Sequence, residues 1–445
     1  MYKFFIIFIT LFFSFSVSVS EITFKKNTLL QDDEMEALTT TILQKMFHVA
    51  HIKGKPTIYF VVTKDINAAA TLNRTVIINT GFILFCKNIE EFIGVLAHEV
   101  IHIKADHPSL GELNAGQAAI PGFLTMAVGG IAALALGSPE ILMAGLAGGM
   151  GVAQRNVLKY SRTQENMADA GAIDILEKLN WPIDGLQTFL KSLDKKYNMK
   201  DMDPYLSTHP ITSERFQKIG FYLEKHPQKR SIPDDLKTKF LRIQAKIAGF
   251  TEPTASVFKR YPSSDQSTEA HYARAIAYYR THKTEKFNQE MDILLKKFPN
   301  DTYFLELKGQ FFIEAGDKEK ALKILESARE NRKNKEGLDL IYAHALLETN
   351  KQPQKVIDIL TPLIQKDSSN IWAWRMLSIA YGKEKKENEA SGCLAEEAYL
   401  KRDYKLALTH AKKAVQSKNS NIRDRAKTLI EEIEREKKRG NIPDQ

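Results

Sequence analysis

"LAHEVIHIKADH", residues 96–107, decides how the rest of the chain is read. His98 and His102 stand four apart with Glu99 beside the first, inside an apolar run of Phe92, Ile93, Val95, Leu96, Val100, Ile101 and Ile103. The pattern predicts a helix from about Ile89 to Ala105, buried nearly all round. At i and i+4 two imidazoles lie on one helix face, which suits convergence on a single metal ion. Glu99 points about 100° round the helix, beside that position. There it can act as a general base on water and return the proton to a leaving amine. Polar side chains in so apolar a helix need partners, because unpaired buried polar groups are costly.

A catalytic site of this kind takes three protein ligands and leaves one tetrahedral position open. His107 follows His98 by nine residues, about 2.5 turns, so it points away from the ligand face. The longer extension with glycine and histidine after the second ligand also fails, since Ala105 and Pro108 occupy those places. His107 reads instead as a helix C-terminal residue, where a histidine suits the dipole. A later segment, "YSRTQENMADAGAIDIL" (160–176), offers Glu165 and Asp169 four apart, with Ala168, Ala170, Gly171 and Ala172 permitting close helix packing. Glu165 can reach a metal while Asp169 accepts a hydrogen bond from a ligand imidazole. On the residues alone the third ligand stays open, as does the role of His209, a loop histidine before Pro210.

The chain has 445 residues, 43% of them hydrophobic and 26% charged, which is the composition of a globular protein of two or three domains. A net charge of +9 is spread thinly, and no basic cluster interleaved with aromatics marks a nucleic-acid groove. The N-terminus, "MYKFFIIFITLFFSFSVSVS" (1–20), carries one Lys, an apolar run, and small residues at Ser18 and Ser20. This is the pattern of a secretory signal, with a mature chain from about Glu21; retention of the segment as an anchor is the alternative. Two cysteines, Cys86 and Cys393, do not make a disulfide framework.

Helical spacing of Met35, Leu38, Ile42 and Met46 predicts a helical lead-in, and "PTIYFVVT" (56–63) and "RTVIINTGFIL" (74–84) read as β-rich runs. From Leu113 to Pro139 there is no charged residue, and 113–153 as a whole is an apolar, glycine-broken hairpin. Three readings of it stand: an apolar lid packed near the site, a membrane-contacting hairpin, or a two-helix span. Residues 157–197 read as helical, and a linker with a short helix is expected over 227–267.

From Thr268 the pattern becomes helix pairs with a period near 34, anchored at Phe287, Ala321, Val356 and Ala390 and, in the first helices, at Ala275 and Gly309. That period and the Trp/Leu/Ala/Tyr order of "WAWRMLSIAYGKEKKENEA" are those of tetratricopeptide repeats, expected over 268–420 and followed by a basic helical tail, 421–445. The fold class expected is mostly α with a small β-sheet: a peptidase-like domain followed by an α-solenoid.

Four ordered motifs carry a resemblance. "INAAATLNRTVIINTGFI" (66–83), the HExxH of 98–102, Ser161-Arg162-x-x-Glu165-x-x-Ala168-Asp169, and "STHPITSERFQKI" (207–219) together resemble the gluzincin peptidases that include HtpX and the CAAX prenyl endopeptidases. A signal peptide and C-terminal repeats are similar to that family's periplasmic BepA-like subgroup. The resemblance implies one Zn2+ per chain on His98, His102 and Glu165, with Glu99 as general base and Asp169 behind a ligand histidine. It places His209 near the metal, as an oxyanion donor or an occluding group, and Arg215 against a carboxylate such as Asp169 or against substrate. It implies a periplasmic endopeptidase acting on unfolded or misassembled outer-membrane proteins, its repeats docking to the β-barrel assembly machinery. Substrate would add as a strand at 74–80, although Asn73 and Arg74 stand where the family usually has Gly-Gly. Two other functions fit the same residues: a repeat-based assembly factor or chaperone with a latent metal site, and an integral membrane peptidase spanning at 118–153. A peripheral contact with the membrane is compatible with each.

Overall fold

A computed structural model describes residues 28–71, 74–105, 162–197, 209, 213–227, 229–332 and 336–438. The signal-like segment 1–20, His107, the apolar stretch 113–153 and the last residues of the tail lie outside the described residues. The chain divides into two compact units, the first ending at Leu294 and the second beginning at Leu295.

The first unit opens with β1 (Thr28–Leu30), α1 (Asp33–Val49), β2 (Thr57–Val62), β3 (Ala68–Thr71) and β4 (Thr75–Asn79). The strands form one sheet in the order β1-β2-β4-β3, with β2 and β4 parallel and the outer pairs antiparallel. β4, whose Val76 and Ile78 are fully buried, therefore lies inside the sheet. This corrects the expectation of an edge at 74–80: both sides of β4 are already paired, and among the described strands the outer ones are β1 and β3. Arg74, at the position where glycine was expected, nevertheless adopts a left-handed φ of 60°.

After the short α2 (Thr80–Phe85) comes α3 (Ile89–Lys104), the helix of the opening motif. The Asn88 side chain accepts from the Glu91 N–H at 2.9 Å, and Glu91 accepts from the Lys87 N–H at 2.8 Å. These bonds satisfy backbone donors that a helix start leaves free. Gly94 and Gly185 permit the close approach of α3 to α5 (Asp184–Tyr197): a Cβ at Gly94 would lie 2.6 Å from the Leu186 nitrogen, and one at Gly185 2.1 Å from the Glu90 carbonyl oxygen. The helical stretch expected over 157–197 is two helices, α4 (Arg162–Lys178) and α5 (Asp184–Tyr197), and α6 (Ser213–Lys225) follows.

Residues 227–267 were expected to form a linker; they hold α7 (Asp234–Thr251) and α8 (Thr254–Arg260), and α7 packs on α1, α2 and α3. Phe240 of α7 stacks on Phe92 with ring centroids 5.1 Å apart. The Gln244 amide donates to the carbonyls of Ile83 and Cys86, closing the end of α2. Lys246 pairs with Asp32 at 2.5 Å, Arg242 pairs with Glu34 at 2.8 Å, and the Tyr272 hydroxyl reaches Glu34 at 3.3 Å. The unit closes with α9 (Thr268–Arg280) and α10 (Thr284–Lys297), in which the division falls.

The second unit is an α-solenoid: α11 (Thr302–Glu314), α12 (Lys318–Glu330), α13 (Glu336–Glu348), α14 (Pro353–Lys366), α15 (Ile371–Lys383), α16 (Glu387–Leu400), α17 (Tyr404–Ala414) and α18 (Ser420–Lys438). Each helix packs on its successor, and α11, α13 and α15 also touch in turn. The small residue at Gly309 is required because a Cβ there would meet the Leu325 side chain at 2.5 Å. Ion pairs tie one helix pair to the next, among them Lys318–Glu348 and Arg425–Glu396. Most of the expected tail is packed: α18 buries Ala426, Leu429 and Ile433 against Ala407, Ala411 and Ala414. It thereby covers the apolar, alanine-lined face of α17. Both cysteines are free and buried, Cys86 in the first unit and Cys393 in the second.

The packing of α7 predicts where the peptidase-like unit can be cut. A fragment stopping at His226 leaves the Asp32 and Glu34 carboxylates without their cations, a loss of about 3–5 kcal/mol for a broken buried pair. Such a fragment should lack a cooperative thermal transition, whereas one extended through Phe298 should melt cooperatively; circular dichroism of the two distinguishes them.

Candidate metal centre

α3 carries His98 and His102 on one buried face, their rings 4.8 Å apart between centroids and their Nε2 atoms 3.1 Å apart. Against this face lies α4. Its Ala168 and Ala172 are fully buried, and Gly171 leaves room for Ile101, whose Cδ1 would lie 2.6 Å from a Cβ there. This close contact carries Glu165 in: Oε2 stands 3.5 Å from His98 Nε2 and Oε1 3.5 Å from His102 Nε2. His209 is also fully buried, with Nδ1 3.0 Å from Glu165 Oε1 and 3.4 Å from His98 Nε2. The ligand atoms of His98, His102, Glu165 and His209 all lie within 4.8 Å of one another.

The remaining site candidates surround this group. Asp169, one turn beyond Glu165, meets His98 Nδ1 at 2.9 Å, so the far nitrogen of that imidazole is held by a carboxylate. Arg215 of α6 reaches both acids of α4: Nη1 lies 2.6 Å from Glu165 Oε2, and Nε and Nη2 donate to Asp169 at 2.7 and 2.8 Å. Glu99 stands beside the group. Its Oε2 accepts from the Ala70 backbone N–H at 2.8 Å, and its Oε1, buried and without a hydrogen-bond partner among the described residues, lies 3.5 Å from His209 Nε2. All seven side chains expected at the site thus come together. Sequence reasoning missed the Ala70 N–H, because a backbone donor has no residue-type signature, and it paired Arg215 with one carboxylate where the guanidinium bridges two.

Electrostatics follow from charge placed out of water. Burial lowers the basicity of His98, but Glu165 and Asp169 outweigh it and hold the imidazole up at about 9. Burial dominates at His102, which falls to about 3. Burial disfavours the charged form of Glu165, yet His209 and His98 hold it well below the usual carboxylate range. Asp169, also buried, is brought down to about 2 chiefly by its hydrogen bonds from Arg215. Burial pushes Glu99 above its ordinary value. Imidazole nitrogens with a carboxylate oxygen, backed by Asp169, fit a zinc-like divalent ion, and the orphaned Glu99 Oε1 fits a hydrogen-bonding group beside it.

Comparison with known proteins agrees with this geometry. Residues 34–221, which contain all seven side chains, match the family described as Peptidase family M48. The Beta-barrel assembly-enhancing protease of Escherichia coli (strain K12) is 24% identical over 355 residues, 77% of this chain and 72% of that protein. The protein of the same name from Yersinia pestis is 23% identical over 339 residues, 75% and 69% of the two chains. A putative one from Vibrio cholerae is 25% identical over 335 residues, 74% and 69%.

The bridging of two acids by Arg215 generates a stability prediction. Arg215→Leu leaves Glu165 and Asp169 buried without their shared cation and should cost about 3–5 kcal/mol in urea denaturation. Lys218→Ala, which removes an exposed pair, should cost at most about 1 kcal/mol. Since Asp169 lies at about 2 against an ordinary 3.8, its contribution is complete above pH 3.8 and is lost as the pH falls toward 2. The acid-unfolding midpoint of Arg215→Leu should therefore move to higher pH.

Proposed function

We propose that this M48 metallopeptidase is a zinc-dependent endopeptidase of the periplasm. It acts there on misfolded or stalled outer-membrane proteins, and its solenoid docks it to the β-barrel assembly machinery. The observation that carries the reading is the convergence of His98, His102 and Glu165 with Glu99 beside them. The names of the relatives support the envelope role, and the signal-like N-terminus supports export. Among the described residues no helix is long and apolar enough to cross a membrane. The tetratricopeptide spacing supports a docking surface, since stacked helix pairs present an extended concave face.

In this reading His98, His102 and Glu165 hold one zinc ion, which when bound supplies Lewis acidity toward a substrate carbonyl and acidifies water. Glu99 takes a proton from the attacking water through Oε1 and delivers it to the amine that leaves, a contribution of about 10²–10⁴ in rate. Asp169 fixes the tautomer and orientation of His98, and Arg215 holds Asp169 and Glu165 in place. The substrate lies along β3, whose outer edge pairs with no described strand. Extended, unfolded chains can add there by main-chain hydrogen bonds.

A second reading, an assembly factor or chaperone whose site is held shut, is favoured by one observation. His209 Nδ1 lies 3.0 Å from Glu165 and within the donor group, so it can act as a fourth donor. Four protein donors around zinc leave no position for water.

Purified protein should carry close to one zinc per chain by plasma mass spectrometry, and Glu99→Gln should abolish casein cleavage while retaining the metal. His209→Ala should raise casein cleavage if the histidine shuts the site, and lower it if the histidine serves the oxyanion. Full casein cleavage by Glu99→Gln would sink the peptidase mechanism. Full rescue of an envelope defect by the same variant would favour the assembly-factor reading.

A further inference from the structure

The hydrogen bond from Ala70 to Glu99 joins the sheet edge to the motif helix, and its direction is fixed by strand register. β3 and β4 run antiparallel with Ala68 opposite Ile78 and Ala70 opposite Val76. One residue earlier, the Asn79 N–H donates to the Asn67 carbonyl at 3.0 Å. In an antiparallel pair, hydrogen-bonded and non-bonded positions alternate. Asn67, Ala69 and Thr71 therefore turn their backbone groups toward β4, while Ala68 and Ala70 turn theirs to the open edge. The Ala70 N–H is thus not needed by the sheet, and it is this donor that meets Glu99 Oε2 at 2.8 Å. The two oxygens of Glu99 consequently have different environments: Oε2 is tied to the strand, and Oε1 is buried with no hydrogen-bond partner among the described residues, 3.5 Å from His209 Nε2.

We infer that the backbone N–H of Ala70 is a positioning group for the Glu99 carboxylate. It fixes Oε2 so that Oε1 faces the group formed by His98, His102, Glu165 and His209. A glutamate side chain has several staggered rotamers, some of which point its carboxylate elsewhere; the strand donor selects one of them. A substrate strand laid on β3 would pair with the outward groups of Ala68 and the Ala70 carbonyl. The Ala70 N–H would stay with Glu99, so that the strand receiving the substrate also aims the base. The inference rests on Glu99 being the general base, as proposed above.

Proline at residue 70 removes this N–H and puts its ring Cδ in that place, and edge strands accept proline where the N–H faces away from the sheet. The full-length Ala70→Pro protein should keep its zinc content and thermal midpoint. Its kcat on casein-derived peptides should fall about 10- to 100-fold, the range for a lost hydrogen bond to a charged group, with KM changed less than about 3-fold. If Ala70→Pro does not fold, an amide-to-ester exchange at residue 70 deletes the same donor and is read in the same way. A folded, zinc-loaded variant with wild-type kcat overturns the inference. So does a raised KM with unchanged kcat, which would assign the N–H to substrate pairing, and so does a loss of rate matched by a loss of zinc. Unimpaired turnover by Glu99→Gln would instead remove the premise that Glu99 is the base, whatever Ala70→Pro does.

Discussion

Burying three carboxylates and three imidazoles in one small volume is the constraint on which this domain depends. Glu99, Glu165 and Asp169 are buried, and each charge removed from water carries a penalty of several kcal/mol. The arrangement persists because the charges are interleaved: the imidazoles lie between the acids, and Arg215 supplies a permanent cation to two of them. A guanidinium suits this place because its planar fork reaches both oxygens of Asp169 and still has a nitrogen for Glu165. The helices pack tightly because the polar centre is closed. Small residues at Ala168, Gly171 and Ala172 let α4 approach α3, and glycines at 94 and 185 let α5 approach it.

The site was legible in the sequence to an unusual degree, for a physical reason. Metal-ligand chemistry restricts residue type, and helix geometry restricts spacing, so His98, His102, Glu165 and Asp169 all stand at i, i+4 on recognisable helices. The exclusion of His107 rested on the same geometry. Signals tied to no side chain were not legible. Which strand lies at the edge depends on pairing order, and "RTVIINTGFIL" reads equally well in the interior or at the border of a sheet. Its fully buried Val76 and Ile78 report an interior position only once the neighbours are known.

The domain limits show a similar division. The helical period near 34 made the solenoid visible, because small residues recur wherever helices cross closely. The helix at 234–251 was visible too, but its allegiance was not. Polar residues such as Arg242, Gln244 and Lys246 look like the outward face of a linker helix. They point inward because Asp32, Glu34 and the end of α2 present acids and unpaired carbonyls to receive them. A polar face is thus exposed or buried according to what lies opposite it, which periodicity does not record. The basic-looking tail held the same ambiguity, resolved by the alanine-lined surface that α18 covers.

The donors of the cluster come from distant parts of the chain: Glu165 lies 63 residues beyond His102, and His209 a further 44. Joining them closes long loops, whose entropy only a docked α4 and the ordered arrival of His209 can offset. No shorter piece of the chain, least of all one still emerging or being threaded in an extended state, possesses the set. The histidine pair stands within one helix, α3, whereas the full donor group also needs Glu165 of α4 and His209. The spacing therefore ties the site to the folded domain: the donor group exists only where α3, α4 and His209 are brought together.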